Sequence, residues 1–312
     1  MPQSESVEGI LGAPIRSNGP GDQGGRVLIS TLHQSEIQGP DRQARIAHFG
    51  TRALSSDNWR TILEAGDEGL RRQPWQELQL ARELQSEMLP AYHPPEAGWD
   101  LAARCSAAQT VGGDFYDFFR YPGKAISAEA IGDVSGKGAS AAIYAALVAG
   151  ILRSLAPLEL GPAEMLRTLN RELLKRPVRA RYVCMIYATW NERDRVLCIA
   201  NAGLPHPVCV QNGKLSSLKA SGLPLGLFES AEYEEHSVEC GAGDLVVFYS
   251  DGVTEAVDRR GEDFGPEKLE KVIAMNAGES AERVVNAIFF AVAAHAGNLN
   301  ADDDQTVIAV RT

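Results

Sequence analysis

Aspartate is the residue through which this sequence could do chemistry, and its positions share a context. Gly112-Gly113-Asp114-Phe115-Tyr116-Asp117 opens one apolar run, and Ile131-Gly132-Asp133-Val134-Ser135-Gly136-Lys137-Gly138 leaves another through glycines. Tyr249-Ser250-Asp251-Gly252-Val253 follows the run Leu245 to Phe248, and Asp302-Asp303-Asp304-Gln305-Thr306 precedes a last one. Taken singly, each is an ordinary turn, because Asp accepts backbone hydrogen bonds and tolerates turn geometry. Gathered at one end of a fold, the carboxylates would repel one another and raise each other's pKa unless a cation neutralised them. Hard oxygen ligands without His or Cys nearby suit Mg²⁺ or Mn²⁺ rather than Zn²⁺. Gly136 and Gly138 permit a tight backbone path that brings a main-chain carbonyl up to an ion and starts a helix. The same Gly136-Lys137-Gly138 could instead cradle a phosphate at a helix N-terminus, although the full G-x-x-x-x-G-K-[ST] pattern is absent. No protein nucleophile competes: Ser135 lacks a base motif, G-x-S-x-G is missing, and no Cys sits in an obvious phosphate loop.

Positioning these groups requires strands. Alternation and turn residues predict strands at Asp100 to Ala107, Asp114 to Tyr121, Ala128 to Asp133, Tyr182 to Trp190, Val196 to Ala200, Val208 to Gln211, Leu215 to Leu218, Leu245 to Tyr249 and Thr306 to Val310. Helices are predicted at Ser140 to Leu155, Pro162 to Lys175, Pro266 to Met275 and Ser280 to His295. Several strands follow one another without an intervening helix, which favours antiparallel sheets and an α+β class.

Upstream, residues 1–56 read as a disordered tail rich in Gly, Ser, Gln and Pro, and residues 57–94 as a helical linker or regulatory segment. Two helices are expected there, the first from Asp57, with a break near Gly69 to Pro74 and an end near Pro90. Leu78, Ala81, Leu84 and Met88 form an apolar stripe that needs a partner: the chain's own domain, a second copy, or a signalling protein. Residues 95–312 are left for the main globular domain.

Composition narrows the classes. The chain has 312 residues, 44% hydrophobic and 23% charged, with a net charge of -11, so nucleic acid and anionic lipid are not default partners. Its five cysteines form no C-x-x-C pair, which signals neither zinc nor a disulfide framework. The apolar stretch Ala141 to Leu152 is shorter than a bilayer span and the N-terminus has no leader pattern, so a cytoplasmic protein without a membrane segment is expected.

In order along the chain stand Gly112-Gly113-Asp114-Phe115-Tyr116-Asp117, Gly132-Asp133-Val134-Ser135-Gly136-Lys137-Gly138, Asn201-Ala202-Gly203, Gly222-Leu223-Pro224-Leu225-Gly226, Tyr249-Ser250-Asp251-Gly252-Val253-Thr254-Glu255 and Asp303-Asp304-Gln305-Thr306. Over about Ala81 to Thr312 this combination resembles the bacterial regulatory branch of the metal-dependent (PPM, type 2C-like) serine/threonine phosphatases, the branch of sporulation and stress-response sigma-factor regulators. The resemblance implies a four-layer α-β-β-α sandwich of two antiparallel sheets flanked by helices, with an N-terminal helical extension. It also implies two Mn²⁺ or Mg²⁺ ions per site. Asp133 would bridge the ions, the Val134 carbonyl would ligate one of them, Asp251 and Asp303 would complete the second ion's set, and Asp114 would hold metal-bound water. Asp117, Glu255 and Asp304 adjoin these positions and would be outer groups, ligands of a weaker third ion, or solvated turn residues.

Two departures from the family pattern stand out. Leu204 occupies the place after Asn-Ala-Gly where members more often carry His, which leaves His206 as a structural loop residue. The stretch Ala107-Ala108-Gln109-Thr110-Val111 lacks the phosphate-clamping Arg of the eukaryotic members, so ions and backbone, with Lys137 as a possible helper, would take its place. The activity implied is hydrolysis of phosphoserine or phosphothreonine by metal-activated water, on a phosphorylated STAS-type anti-sigma-factor antagonist in a partner-switching pathway. An activator protein or a homodimer through the 57–89 helices would regulate it. The alternatives are an inactive PPM-fold module that sequesters a regulatory partner, and a metal phosphohydrolase of small nucleotides.

Overall fold

The computed structural model describes residues 27–33, 48–54, 68–90, 99–121 and 123–312 of the chain. Its elements are β1 (Val27–His33), β2 (His48–Leu54), α1 (Glu68–Met88), β3 (Asp100–Ser106), β4 (Phe115–Arg120), β5 (Ile126–Val134), α2 (Ala139–Leu155), α3 (Pro162–Lys175), β6 (Val183–Asn191), β7 (Val196–Ala202), β8 (Val208–Gln211), β9 (Lys214–Ser217), β10 (Glu235–Glu239), β11 (Leu245–Tyr249), α4 (Asp251–Thr254), α5 (Pro266–Met275), α6 (Ala281–Ala296) and β12 (Gln305–Arg311). The chain divides into two units, Met1–Arg72 and Gln73–Thr312.

In the second unit the strands form two five-stranded antiparallel sheets, ordered β10-β7-β6-β5-β4 and β3-β12-β11-β8-β9. Strand alternation explains why both faces of each sheet are covered. On β5, Ala128 and Ala130 join one core with α2 and α3, while Ile131 joins another with Phe248 and Ile308 of the opposing sheet. A third core packs β11 and β12 against α5 and α6 through Val247, Leu269, Ile288 and Val307. Three apolar layers separate four layers of secondary structure, which is the α-β-β-α sandwich.

Helix α2 buries Ala141, Tyr144, Ala145, Val148, Ala149 and Leu152 at helical spacing, and leaves Ile143 and Leu147 outside. Pro162 at the first turn of α3 withholds an N–H that would have no partner there. Ser280 caps α6 by accepting from the Arg283 N–H.

Several sequence expectations meet the structure differently. The break near Gly69 to Pro74 is absent, because α1 runs unbroken through it; Pro74 removes one donor and the remaining ladder carries the helix past it. The helix expected from Asp57 lies largely outside the described residues. Within the stretch read as a tail, β1 and β2 pair antiparallel from Val27↔Leu54 to His33↔His48, since a ladder satisfies backbone groups even where side-chain patterning is weak. From Gln73 onward α1 belongs to the second unit. Finally, the stretch Ala139–Leu158 is long and apolar enough to cross a membrane by length and composition, because Arg153 alone does not lower its mean hydropathy enough, yet one face of it is core. Edge strand β10 went unpredicted; Glu235, Ser237 and Glu239 alternate outward, but the inward positions are His236 and Val238, a single apolar residue, and charge of this kind protects an edge from pairing.

Candidate active site

Antiparallel pairing brings the aspartates together from both sheets. β4 begins just after Asp114, and its register sets Phe115 opposite Gly132, so Asp133 at the end of β5 comes beside Asp114. In the other sheet β11 pairs with β12, Tyr249 opposite Val307, which brings Ser250-Asp251 alongside Asp303-Asp304. Asp133 therefore feels the charges of Asp251, Asp303 and Asp304 and lies beside Asp114. Desolvation, then these like charges, pushes its pKa up to about 7. Asp251 is raised for the same two reasons, burial first and Asp303 next.

Asp114 is 3% exposed, and its Oδ2 accepts hydrogen bonds from Ser250 Oγ and Thr306 Oγ1, each at 2.7 Å. Burial and the Asp133 charge raise its pKa well above the usual carboxylate range, against the lowering effect of the two hydroxyls. Asp304 has a different task. Its Oδ1 accepts from the Ala108 N–H at 2.7 Å and its Oδ2 from the Gly113 N–H at 2.6 Å, so it is a clamp on the turn that delivers Asp114. A Cβ at Gly112 would lie 2.3 Å from Asp304 Oδ2, which is why that turn takes glycine.

The remaining sequence candidates separate. Asp117 is buried and faces Arg153, whose Nε lies 2.5 Å from its Oδ2. Glu255 borders the acidic group, where burial and then Asp251, Asp263 and Asp303 raise its pKa. Asn201 accepts from the Leu204 N–H at 2.9 Å and donates to the Leu204 carbonyl at 2.8 Å, closing the loop before His206. Buried His206 Nδ1 has no partner among the described residues. Lys137 pairs with Asp303 at 3.2 Å with both side chains half exposed, a pair of little energetic weight.

Several positioning groups carried no assigned role in the sequence. Ser250 and Thr306 stood inside quoted motifs, and a hydroxyl one or two residues from an Asp was the available signal. Gln85 of α1 donates to the Gly112 carbonyl at 2.7 Å and accepts from its N–H at 3.1 Å, holding the Asp114 turn from the helix side. Arg181 donates to the Ser135 carbonyl and, at 2.6 Å, to Ser140 Oγ. Gly136 has φ +94, and a Cβ there would run into the Arg181 guanidinium. Nothing in the sequence marked Arg181.

The donor set is oxygen only, crowded with like charge, and suited to a hard divalent cation. Among the described residues no three such side chains already form a closed metal-binding group. Mg²⁺ as a rule binds through one or two carboxylates and keeps several of its waters.

A family model described as Stage II sporulation protein E (SpoIIE) matches residues 127–312. The chain is 28% identical over 246 residues to the phosphoserine phosphatase RsbU of Bacillus subtilis, covering 78% of this chain and 72% of RsbU. Its fold matches the SiaA-PP2C domain of Pseudomonas aeruginosa with a TM-score of 0.70 at 18% identity, over 78% of this chain and 98% of that domain. RsbX, solved in complex with magnesium, matches with a TM-score of 0.53 at 15% identity, over 70% of this chain and 97% of RsbX.

Proposed function

Because this chain belongs to the Stage II sporulation protein E (SpoIIE) family, whose fold and motifs are those of PPM-type phosphatases, we propose that it hydrolyses phosphoserine or phosphothreonine on a protein. The substrate we assign is a STAS-type anti-sigma-factor antagonist of a partner-switching pathway, and the cofactors are two Mn²⁺ or Mg²⁺ ions. The observation that carries this reading is Asp133, in electrostatic contact with carboxylates from both sheets. RsbU, named for phosphoserine hydrolysis, and RsbX, solved with magnesium, support it.

Asp133, Asp251, Asp303 and the Val134 carbonyl would hold the ions. Once bound, these would lower the pKa of water towards neutrality and neutralise charge on the phosphoryl oxygens. Asp114, fixed by Ser250 and Thr306, orients groups at that point, and Asp304 keeps the Gly112–Asp114 turn in place. Cys184 is a poor nucleophile: it lies within the field of Asp133 and Asp251, and burial followed by those charges pushes its thiol up to about 12. Exposed Leu80, Leu84 and Met88 on α1 support that helix as the place where an activator protein or a second copy acts, in the cytoplasm.

The test is release of phosphate from an in-vitro phosphorylated STAS-domain antagonist in Mn²⁺, abolished by chelator. Stable binding of that protein with no phosphate release in Mn²⁺ would assign the chain to sequestration instead.

A further inference from the structure

Two loops beside the acidic site hold apolar side chains in water. Val178 and Tyr182 lie between α3 and β6, and Leu223, Leu227 and Phe228 between β9 and β10; all five are 38–49% exposed. A loose loop would fold such side chains inward, but these loops are pinned. Val183 and Leu225 exchange backbone hydrogen bonds at 3.0 and 2.8 Å. Asn170, 2% exposed, accepts from the Gly226 N–H at 2.7 Å and donates to the Phe228 carbonyl at 2.9 Å. A buried amide committed at both ends therefore fixes a loop whose apolar tips face solvent.

The first loop is also joined to the proposed metal-binding turn. Ser135, two residues after Asp133, donates its N–H to the Tyr182 carbonyl at 3.0 Å and accepts from the Tyr182 N–H through Oγ at 3.0 Å. Charge follows the same line. Arg176 and Arg179 are exposed and have no carboxylate partner among the described residues, in a chain whose net charge is -11. Unpaired cations next to an apolar patch complement a protein surface that carries a phosphate. A free phosphomonoester has no area to bury there.

We propose that these two loops are the docking surface for the phosphoserine-bearing face of a folded protein substrate. Arg176 and Arg179 attract its charge, and Leu223, Leu227 and Phe228 cover its apolar rim. The proposal rests on the phosphoserine reading given above.

The experiment compares an in-vitro phosphorylated STAS-domain antagonist with p-nitrophenyl phosphate, using the full chain in Mn²⁺. The variants are Arg176→Glu with Arg179→Glu, and Leu227→Ser with Phe228→Ser. On the phosphoprotein each should raise KM roughly tenfold or more, with kcat held. On p-nitrophenyl phosphate both should stay within about twofold of wild type, and the arginine variant should lose the salt dependence of KM. Unchanged phosphoprotein KM in both variants, or equal losses on both substrates, would overturn the docking surface while leaving the phosphatase standing. Wild-type protein that hydrolyses p-nitrophenyl phosphate but no phosphoserine protein would remove the underlying reading, and the docking surface with it.

Discussion

The inward face of β5 carries a carboxyl towards each end, Glu129 and Asp133, with Ile131 between them. Both have raised pKa values and desolvation is the first cause of each, yet their surroundings differ. Glu129 is 3% exposed, takes one hydrogen bond from Trp190 Nε1 at 3.1 Å, and leaves Oε2 without a partner among the described residues. Asp133 faces further carboxylates from both sheets. Burial alone makes a protonated core residue; burial shared with like charges makes a place for a cation.

The largest test of that contrast is Asp133→Asn against Glu129→Gln. The first should lower Mn²⁺-dependent turnover of p-nitrophenyl phosphate by about a thousandfold, while the melting temperature holds or rises as like-charge crowding is relieved. The second should leave turnover within about twofold. Equal losses in steady-state assays would erase the distinction between the two ends of β5.

Asp304→Ala comes next. It leaves the Ala108 and Gly113 N–H groups without their acceptor, and chemical denaturation should report a loss of about 2–4 kcal/mol together with reduced turnover. An unchanged denaturation midpoint would contradict the clamp.

Glu129 gives a pH signature. Its pKa is raised from 4.5 to about 8, so across that window the folded chain holds a proton that the unfolded chain has released. Stability therefore falls as pH rises through the window and levels off above it. Glu129→Gln should flatten that part of the profile, and identical slopes for wild type and variant in denaturation from pH 5 to pH 8 would refute the assignment. The smallest effect belongs to Asp117→Asn. Arg153 is 42% exposed, so solvent screens the pair; stability should drop by no more than about 1 kcal/mol and turnover should not move. A large loss of turnover would place Asp117 in the site.

Much of the architecture was legible because short-range physics sets it. β8, β11, α3 and α5 fall where period, proline and glycine put them. β10 was not, because its inward face holds His236 and a single apolar residue, Val238, too little to mark a strand. In the site, Asp114, Asp133, Asp251 and Asp303 were visible as acids on turns. The roles of Asp304, Ser250 and Thr306 were not, because a side chain's partner across the sandwich leaves no mark on its neighbours in the chain.

What the sequence determined by itself, then, is local: where the chain extends, coils and turns, and that its acids sit at the ends of strands. Tertiary structure decided which acids meet which groups. Antiparallel registers in two separate sheets had to align before Asp133 could feel Asp251 and Asp303, whereas Glu129, two pleats along the same strand, met an indole. Coulomb and hydrogen-bond energies depend on distance through space, and only the folded registers set that distance.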